Sequence, residues 1–535
     1  MNALLAVIGL PYIPGWTELR PFAAELWLTA TIVAVLIVPF FTRKSNIACA
    51  VVAMAGLALA LLSVLVVGVG EGVVGERFRG MLVVDHFAIL WKVLLLVFAI
   101  GIILMWFGTT AASMHEGDGP EFFTLLLGAT LGMSLMASTS NLLMIFMAVE
   151  MASLPSYVLA GFRKTHRVGA EASLKYVLFG AATSSIMVYG LSILYGLYGT
   201  LQVEQLAPAM AHSTGGSALL VVAIFGLIVG IGFKISAVPF HFWCPDVFEG
   251  ASIEVSAFLS VASKGAALAL LLRLLTLIAA GLGYEHVPLL TTLAVVVGVI
   301  GSVTATVGNT AAYFQSNIKR LLAYSSIAHA GYMLCALSLL IRHDSALVAP
   351  AAAPGVFASD AAQAILLYLA VYLFMNLGAF TVAGMVWRQT GSELIDDYAG
   401  LGRRSPVMAV CLTACLFSLV GLPPFAGFIA KLNVMYVLGA NGGWWWALVA
   451  VIGVNTIFSL YYYARVIKVM YLRDSEEPSF AGNPLGNAIA VVCALVLLVM
   501  LLAYSPLGRL TNSYGRLYLS STPAIPTTPT ASIAP

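Results

Sequence analysis

The sequence predicts an all-α polytopic membrane protein with about 14 transmembrane helices. Of its 535 residues, 61% are hydrophobic and only 9% are charged, whereas a soluble globular protein has about a quarter of its residues charged. Apolar runs of the roughly 20 residues that a helix needs to cross the hydrocarbon core recur along the chain. Charged residues nevertheless lie inside several of these runs. Each costs about 3 kcal/mol at the centre of a membrane helix, and such residues commonly mark a path for ions or protons.

The composition also argues against several functions. The net charge of +2 and the lack of a basic tract give no indication of a nucleic-acid partner. The six cysteines contain no C-x-x-C pair, so we expect no iron–sulfur cluster or metal site and interpret them as packing residues. No Gly-rich dinucleotide loop is present either. The N-terminal segment MNALLAVIGLPYIPGW lacks the basic region and the small-residue cleavage site of a signal peptide.

Fourteen spans are predicted between polar or Gly/Pro breaks. They cover residues 22–41, 47–69, 84–108, 121–138, 141–162, 171–199, 217–249, 252–280, 288–308, 316–341, 361–387, 406–438, 443–471 and 484–505. The predicted domain organisation has five parts. These are an N-terminal three-helix segment (1–120), two five-helix repeats (121–280 and 288–471), a C-terminal helix (484–505) and a tail (506–535). The end of the tail, 519–535, is rich in Pro, Thr and Ser, and we expect it to be disordered.

Basic residues in the loops predict the orientation of the chain. If the first span runs from outside to inside, eleven Lys and Arg residues lie in inner loops, Lys319 among them, and six lie in outer segments. The positive-inside rule therefore places both termini on the outer side. Arg273, Arg465 and Lys468 lie toward the ends of spans. We interpret them as long side chains that reach the membrane interface.

Two spans are interrupted by proline. The seventh contains GFKISAVPFHFW, in which Pro239 lies five residues after Lys234. The twelfth contains SLVGLPPFAGFIAK, in which Pro423 and Pro424 precede Lys431. Proline removes a backbone donor and clashes with the preceding turn, so both helices should break near the middle of the membrane, where irregular backbone survives only if it lines a cavity or a water path. Because spans 7 and 12 run in opposite directions, spans 4–8 and 9–13 are predicted to be two inverted repeats, as in transporters.

Buried ionisable residues are the candidate proton carriers. Burial lowers the pKa of a lysine and a nearby carboxylate raises it, so a lysine changes its charge when its partner moves. Glu150 lies midway along span 5, and we expect it to pair with Lys234. Lys264 lies at the centre of span 8, and Lys431 follows the second break. Histidine titrates near neutrality. The candidate additional relay groups are His241 and His329, for which a structural role as hydrogen-bonded residues is the alternative.

Two further lysines have simpler interpretations. Lys175 lies four residues after Glu171, so a surface ion pair on one helix face competes with a role in proton transfer. Lys92 lies in the outer third of span 3, seven residues after Asp85. Its participation stays open.

Several segments resemble the antiporter-like membrane subunits of respiratory complex I, and among these the N-type. They are VEMASLPSYVLAGF, EASLKYVLFGAATSSIMVYGLSILYG, GFKISAVPFHFWCPDVFEGA, IKRLLAYSSIAHAGYML and GLPPFAGFIAK, and they cover most of spans 4 to 13. The SLP-Y and EASLKY stretches point to the N-type. The M-type is expected to have glutamate in place of Lys431, and the L-type continues into a long lateral helix that this chain lacks after residue 505.

The resemblance implies a proton-translocating subunit of an NADH-quinone oxidoreductase in a bacterial inner membrane, with its termini on the periplasmic side. FMN, iron–sulfur clusters and quinone would then be bound by partner subunits, which would include the L-, M-, K-, J-, A- and H-types. The resemblance assigns the proton relay to Glu150, Lys175, Lys234, Lys264 and Lys431. Two alternatives stay open: a subunit of an Mrp-type cation/proton antiporter, or a structural membrane subunit whose ionisable groups keep their charge.

Overall fold

A computed structural model gives the structure of the protein. It describes residues 14–42, 46–68, 74–110, 115, 117–163, 166–211, 217–282, 287–341, 356–358, 360–475, 478–479 and 482–518. The disorder predicted for 519–535 therefore concerns residues outside the described part of the chain.

The described part is almost entirely helical. In chain order its α-helices are α1 (Trp16–Leu19), α2 (Ala23–Ile37), α3 (Pro39–Thr42), α4 (Asn46–Gly68), α5 (His86–Thr109), α6 (Gly119–Met136), α7 (Leu142–Ala160), α8 (Arg167–Tyr198), α9 (Val203–Ala211), α10 (Ser217–Ile235) and α11 (Trp243–Gly250). They continue as α12 (Ile253–Phe258), α13 (Lys264–Leu282), α14 (Val287–Ala312), α15 (Ile318–Leu337), α16 (Asp360–Thr390), α17 (Leu401–Arg404), α18 (Pro406–Val420), α19 (Ala426–Ala440), α20 (Trp445–Leu472), α21 (Pro484–Leu502) and α22 (Tyr504–Tyr514).

Short elements join these helices. The 3₁₀ turns are Arg20–Phe22, Ser338–Ile341 and Ile395–Tyr398. Strand β1 (Gly75–Arg77) pairs antiparallel with β2 (Leu82–Val84), and β3 (Val356–Ala358) pairs antiparallel with β4 (Arg516–Tyr518).

The predicted class, an all-α polytopic membrane protein, is confirmed. Within the described residues, twelve helical stretches are long and apolar enough to cross a membrane. They are Trp16–Thr42, Asn46–Gly68, His86–Thr109, Gly119–Met136, Leu142–Ala160, Arg167–Tyr198, Ala218–Ile235, Ile253–Ala280, Leu290–Ala312, Asp360–Thr390, Trp445–Leu472 and Pro484–Leu502. These twelve, together with α15 and the α18–α19 pair, correspond to the fourteen predicted spans. The grouping into two inverted repeats and the domain boundaries stay predictions.

The seventh and twelfth spans are interrupted where the prolines predicted. Residues 236–242 separate α10 from α11, and residues 421–425 separate α18 from α19. In the first break, Ser236 has a φ of 61°, in the left-handed region that side chains other than glycine rarely adopt. The indole of Trp243 donates a hydrogen bond of 3.0 Å to the carbonyl of Phe233. The same carbonyl also accepts a hydrogen bond of 3.0 Å from the backbone N–H of Ser236, so this carbonyl at the C-terminal end of α10 is bonded twice.

The eighth span has a different irregularity. Helix α12 passes through a π-helical turn, Leu259–Ser263, into α13, and Lys264 is the first residue after that turn. Single π-turns are rare and frequently lie at functional sites. Both this span and α16 are buried along nearly their whole length. They form the centre of the bundle, whereas α8, α10 and α20 each expose an apolar face.

Two basic residues lie elsewhere than predicted. The interpretation of Arg273 as a side chain that reaches the interface is wrong, because its guanidinium is buried and donates two hydrogen bonds of 2.9 Å to Asp85. Its Nε donates to the carbonyl of Ala137 at 2.8 Å. Lys319, predicted in an inner loop, is buried at the start of α15 and pairs with Glu393 at 2.6 Å. In both cases a carboxylate from a distant helix or loop compensates the buried charge.

The other two basic residues near span ends differ from each other. Arg465 is half-buried and donates hydrogen bonds to the carbonyls of Tyr313, at 3.0 Å, and Gln315, just after the end of α14. Its guanidinium therefore binds protein backbone, which the predicted position at the membrane interface did not include. Lys468 is exposed.

Candidate proton-transfer site

Three lysines lie in the interior of the bundle. The exposed fractions of Lys234, Lys264 and Lys431 are 2%, 1% and 5%. Each lies at an irregularity: Lys234 is the last residue but one of α10, Lys264 follows the π-turn, and Lys431 lies on α19 after the second break. Within the described part of the chain, none of the three has a carboxylate oxygen within 4.0 Å of its amine. Their amines are therefore buried without a carboxylate partner in the described part of the chain.

The expected direct pair between Glu150 and Lys234 is not formed. Glu150 lies midway along α7, is half-buried, and accepts a hydrogen bond from the hydroxyl of Ser184 on α8. The amine of Lys234 has no hydrogen-bond partner among the described residues. The centroid of the Tyr157 ring lies 5.7 Å from Nζ. Glu150 still interacts electrostatically with both Lys234 and Tyr157, so the ring lies beside the amine in the field of the carboxylate.

Lys264 contacts neutral polar groups. Its amine donates hydrogen bonds to the hydroxyl of Ser326 on α15 and to the sulfur of Cys244 at 3.4 Å. The ring of Phe248 lies 5.5 Å away. His241, in the first break, is buried with an Nδ1 that lacks a described hydrogen-bond partner, and it interacts electrostatically with Lys264. The break thus brings a titratable group near Lys264.

Helix α15 connects Lys264 with Lys431. Ser326, His329 and Tyr332 follow one another at intervals of three residues, so they lie along one side of the helix. Ser326 contacts Lys264 at one end, and the ring of Tyr332 lies 4.9 Å from the amine of Lys431 at the other. His329, between them, interacts electrostatically with both lysines.

The imidazole of His329 is held in place by a tyrosine. Its Nδ1 and the hydroxyl of Tyr368 on α16 form a hydrogen bond of 2.6 Å. The rings of Tyr332 and Tyr372 also pack against the imidazole, with centroids 5.7 and 5.1 Å away. The structure therefore places His329 in the line of lysines, with its orientation set by neighbouring rings.

Among the described contacts of the three lysines, that of Lys431 is with a backbone group. Its amine donates a hydrogen bond of 2.7 Å to the carbonyl of Val420, where α18 ends. That carbonyl is at the negative end of a helix dipole, which favours a cation. The interaction crosses the second break and joins its two halves.

All three buried amines thus lie within about 6 Å of an aromatic ring, the range in which a cation is attracted to the ring face. A desolvated contact of this kind is worth about 2 kcal/mol, far less than the electrostatic attraction that a paired carboxylate supplies in a buried site. A ring also cannot accept the proton. This arrangement stabilises the charged form weakly and leaves the amines able to gain and lose a proton as neighbouring charges change.

Lys175 lies apart from this line. It is 40% exposed and pairs with Asp246 at 2.7 Å and with Glu171 at 2.9 Å. Asp246 also accepts from Arg320 at 2.8 Å, and Arg320 contacts Glu249 at 2.6 Å. The pair with Glu171 is the surface alternative that the four-residue spacing indicated. The structure therefore places Lys175 in an ionic cluster that joins α8, α11 and α15.

The sequence reasoning missed the rings of Tyr157, Phe248 and Tyr332. A weak signal existed for Tyr157, which lies seven residues after Glu150 and hence on the same face of α7. Glu25, the partner of Lys92 at 2.6 Å, was also missed, although a carboxylate inside an apolar first span is a signal of the same kind as the lysines. Among the described residues, no group of three or more His, Cys, Asp or Glu side chains could hold a metal ion.

Comparison with known proteins shows which family the chain belongs to. A family model described as "NADH:quinone oxidoreductase/Mrp antiporter, TM" matches residues 139–459, which include every residue of the line from Glu150 to Lys431. The chain belongs to this family. Among curated members of the NADH:quinone oxidoreductase/Mrp antiporter family, it is 40% identical over 481 residues to NADH-quinone oxidoreductase subunit N of Anaeromyxobacter sp. (strain Fw109-5), covering 86% of this chain and 89% of the relative.

Two solved structures have the same fold. A chain of respiratory complex I from Thermus thermophilus with bound aureothin has a TM-score of 0.72 and 30% identity, and the match covers 91% of this chain and 98% of that chain. A chain of the Mrp complex from Dietzia sp. DQ12-45-1b has a TM-score of 0.77 at 21% identity, covering 93% and 97% of the two chains. The second likeness, at its low identity, shows the fold alone.

Proposed function

We propose that the chain is a proton-translocating membrane-arm subunit of an NADH-quinone oxidoreductase. Electron transfer from NADH to quinone, carried out in partner subunits, is coupled here to proton movement along Glu150, Lys234, Lys264 and Lys431. The observation that carries this proposal is the set of three buried lysines that have no carboxylate partner among the described residues. An amine that serves only structure would be expected to have a fixed anion, because an uncompensated buried charge is strongly destabilising.

The position of Glu150 indicates where the coupling signal enters. Its neighbours on α7, Met147, Met151 and Leu154, are 54%, 38% and 59% exposed, so the half-buried carboxylate lies at the surface of the bundle. A charge change in an adjacent subunit acts on Glu150 first. Motion of the carboxylate toward Lys234 stabilises the ammonium, and motion away from it favours release of the proton.

The released proton then passes to the second half of the chain. The first break, with His241, leads from Lys234 toward Lys264. Along α15, Ser326 and His329 lead toward Lys431. Each transfer moves one proton from a protonated lysine or histidine to a neutral acceptor. A group that has taken up a proton and passed it on has therefore returned to its starting charge. Lys175, which the resemblance assigns to the relay, lies outside this line and pairs with Asp246.

The surroundings of the subunit follow from the same proposal. The partners are membrane-arm subunits of the L-, M-, K-, J-, A- and H-types and the lipid bilayer, and FMN, iron–sulfur clusters and quinone are bound in partner subunits. The location is a bacterial inner membrane with both termini on the periplasmic side. Support comes from the subunit N relative, which covers most of the chain, and from the excess of basic residues in the loops assigned to the inside.

The test is Lys234→Met in the assembled complex, reconstituted in vesicles. Methionine has a similar volume and removes a charge that makes no described hydrogen bond, so we expect assembly to be retained. The rate of proton translocation should fall by at least about tenfold, because a positioned proton-transfer group typically contributes about 10²–10⁴-fold. The control is Lys468→Met, because Lys468 is exposed on α20. An intact complex that pumps at the wild-type rate with Lys234→Met would contradict the proposal and favour a static structural subunit.

The second candidate function is a subunit of an Mrp-type cation/proton antiporter. The family description covers both classes, and the Dietzia chain shares the fold. The 40% identity to a subunit N favours the first candidate. Purification of the native complex distinguishes them: flavin and iron–sulfur subunits in the same particle support the oxidoreductase, and small antiporter subunits in their place support the antiporter.

A further inference from the structure

A second group of buried ionisable residues lies in the N-terminal helices. Lys92 on α5 and Glu25 on α2 form an ion pair of 2.6 Å, with side chains 6% and 0% exposed. The hydroxyl of Ser134 on α6 donates to the same carboxylate oxygen, Oε1, at 2.7 Å. The other oxygen, Oε2, is buried and has no hydrogen-bond partner among the described residues. One oxygen of Glu25 is thus bonded twice and the other is free to accept a proton.

A nearby pair shows what a static arrangement looks like. Asp85, seven residues before Lys92 on α5, bonds to Arg273 on α13 through both carboxylate oxygens at 2.9 Å. The guanidinium of an arginine is a rigid fork of donors that matches both oxygens of a carboxylate. The bidentate pair therefore fastens α5 to α13. In the pair of Lys92 and Glu25, by contrast, one carboxylate oxygen has no hydrogen-bond partner among the described residues.

This second pair lies at nearly the depth of Lys264. Helices α5 and α13 run antiparallel, because Asp85 meets Arg273 and Trp91 meets Gly265, where an added Cβ would lie 2.3 Å from the Trp91 ring. Lys264 is nine residues before Arg273 and Lys92 is seven residues after Asp85. At 1.5 Å per residue, the two lysines lie about 14 and 10 Å from the same ion pair along their helices. Lys92 directly follows Trp91 and Lys264 directly precedes Gly265. Both lysines therefore adjoin the contact between Trp91 and Gly265.

We propose that Glu25 and Lys92 form a second proton-holding pair, in which Oε2 of Glu25 binds the proton; the inference rests on the proposed function. When the ammonium of Lys264 gives up its proton, it becomes a neutral amine. The proton binds to Oε2, the carboxylate of Glu25 becomes a carboxylic acid, and Lys92 keeps its charge and its contact with Oε1. The pair passes from zero to one positive charge while Lys264 passes from one to zero.

The pair of Glu25 and Lys92 should not carry a net positive charge at the same time as Lys264. A protonated Glu25 leaves Lys92 as an unbalanced cation in a buried region, and a second cation at Lys264 would repel it. Glu25 is therefore expected to hold a proton only while Lys264 is neutral. The pair then works as a side branch that takes up a proton between two transfers of the main line.

The experiment uses the complete complex carrying Glu25→Gln together with Lys92→Met, reconstituted in vesicles. Replacing both partners of a buried ion pair by neutral residues of similar volume is often tolerated, so we expect assembly at the wild-type level on native gels. Proton translocation should fall at least about threefold, a smaller loss than the roughly 10²–10⁴-fold typical of a group on the main path, because the pair is a side branch. Infrared difference spectra recorded on addition of NADH should lose one carboxyl band in Glu25→Gln, a signal that a purely structural role would leave unchanged. The matched control is Asp474→Asn, in the exposed pair of Arg403 and Asp474.

The inference is overturned if the double variant pumps at the wild-type rate, or if no carboxyl band is lost in Glu25→Gln. Failure of both Glu25→Gln and the double variant to assemble also overturns it, because the pair would then be needed only for folding. Lys234→Met in the same assay separates the two proposals. If Lys234→Met stops pumping and the double variant does not, this inference alone fails. If both variants pump normally, the proposed function fails.

Discussion

The amine of Lys431 donates a hydrogen bond of 2.7 Å to the carbonyl of Val420, across the break that divides the twelfth span. The carbonyls at the end of α18 have no partner within their own helix, so a cation from α19 supplies one. The same side chain is thus a candidate proton carrier and the cap of a helix. Loss of its proton also removes the charge that favours this contact.

Substitution can separate these two roles of Lys431. Lys431→Gln keeps a neutral donor for the carbonyl of Val420, and Lys431→Met keeps none. Both variants should lower proton translocation by at least about tenfold, because neither side chain carries a proton. Only Lys431→Met should also lose about 1 kcal/mol of stability, the usual worth of one hydrogen bond. Pumping in vesicles and thermal unfolding of the purified complex measure the two effects. Normal pumping by Lys431→Gln would rule out the carrier role.

The ring of Tyr332 should contribute through its face rather than its hydroxyl. The ring lies 4.9 Å from the amine of Lys431, and the hydroxyl accepts a hydrogen bond of 2.8 Å from Asn309. Tyr332→Phe keeps the ring, so pumping should stay within about twofold of wild type. Tyr332→Leu removes an attraction of about 1–2 kcal/mol and should lower pumping about tenfold. Equal rates for the two variants would show that the ring does not act on the amine.

His329 and Tyr368 should behave as one unit. Because the hydroxyl of Tyr368 bonds to Nδ1 of His329 at 2.6 Å, it orients the imidazole. His329→Gln should lower pumping by about tenfold or more, and Tyr368→Phe should have a smaller effect. In the double variant, Tyr368→Phe should add nothing, since the group that it orients is already gone. Rates that multiply in the double variant would indicate independent roles.

The pair of Asp85 and Arg273 should be required for stability. Asp85→Asn leaves a buried guanidinium without its anion, which typically costs about 3–5 kcal/mol. We expect a lower unfolding temperature and less assembled complex. Asp474→Asn is the control, because the pair of Arg403 and Asp474 is 83% and 88% exposed and such pairs are worth about 0–1 kcal/mol. Similar unfolding temperatures for the two variants would contradict a stabilising role for the ion pair that joins α5 to α13.

Gly427 should be essential for closing the second break. A Cβ at this position would lie 1.8 Å from the carbonyl oxygen of Ser418, so Gly427→Ala must separate α18 from α19. We expect a loss of about 1–3 kcal/mol, as for other overpacked sites, and poor assembly on native gels. The control is Gly196→Ala on α8, where an added Cβ meets no atom within 4 Å. Assembly of Gly427→Ala at the level of Gly196→Ala would disprove this account.

Much of the fold could be predicted because it depends on local properties. Apolar runs indicated the spans, and Pro239 and the pair of Pro423 and Pro424 indicated the breaks, since proline acts on its own turn of helix. The buried lysines were recognisable because a charged side chain inside an apolar span is costly and therefore rare. The partners of those lysines were not predictable. Glu150 bonds to Ser184 instead of Lys234, which depends on the packing of α7 against α8.

By itself, the sequence determined that the chain crosses a membrane many times, where two of its helices break, and which side chains bring charge into the interior. The tertiary structure alone decided what each charge contacts: Lys431 with Val420, Lys92 with Glu25, and Arg273 with Asp85. The physical reason is that most of these helices are apolar on all sides. Their sequences therefore do not reveal which face turns inward, and contacts between distant helices depend on that rotation.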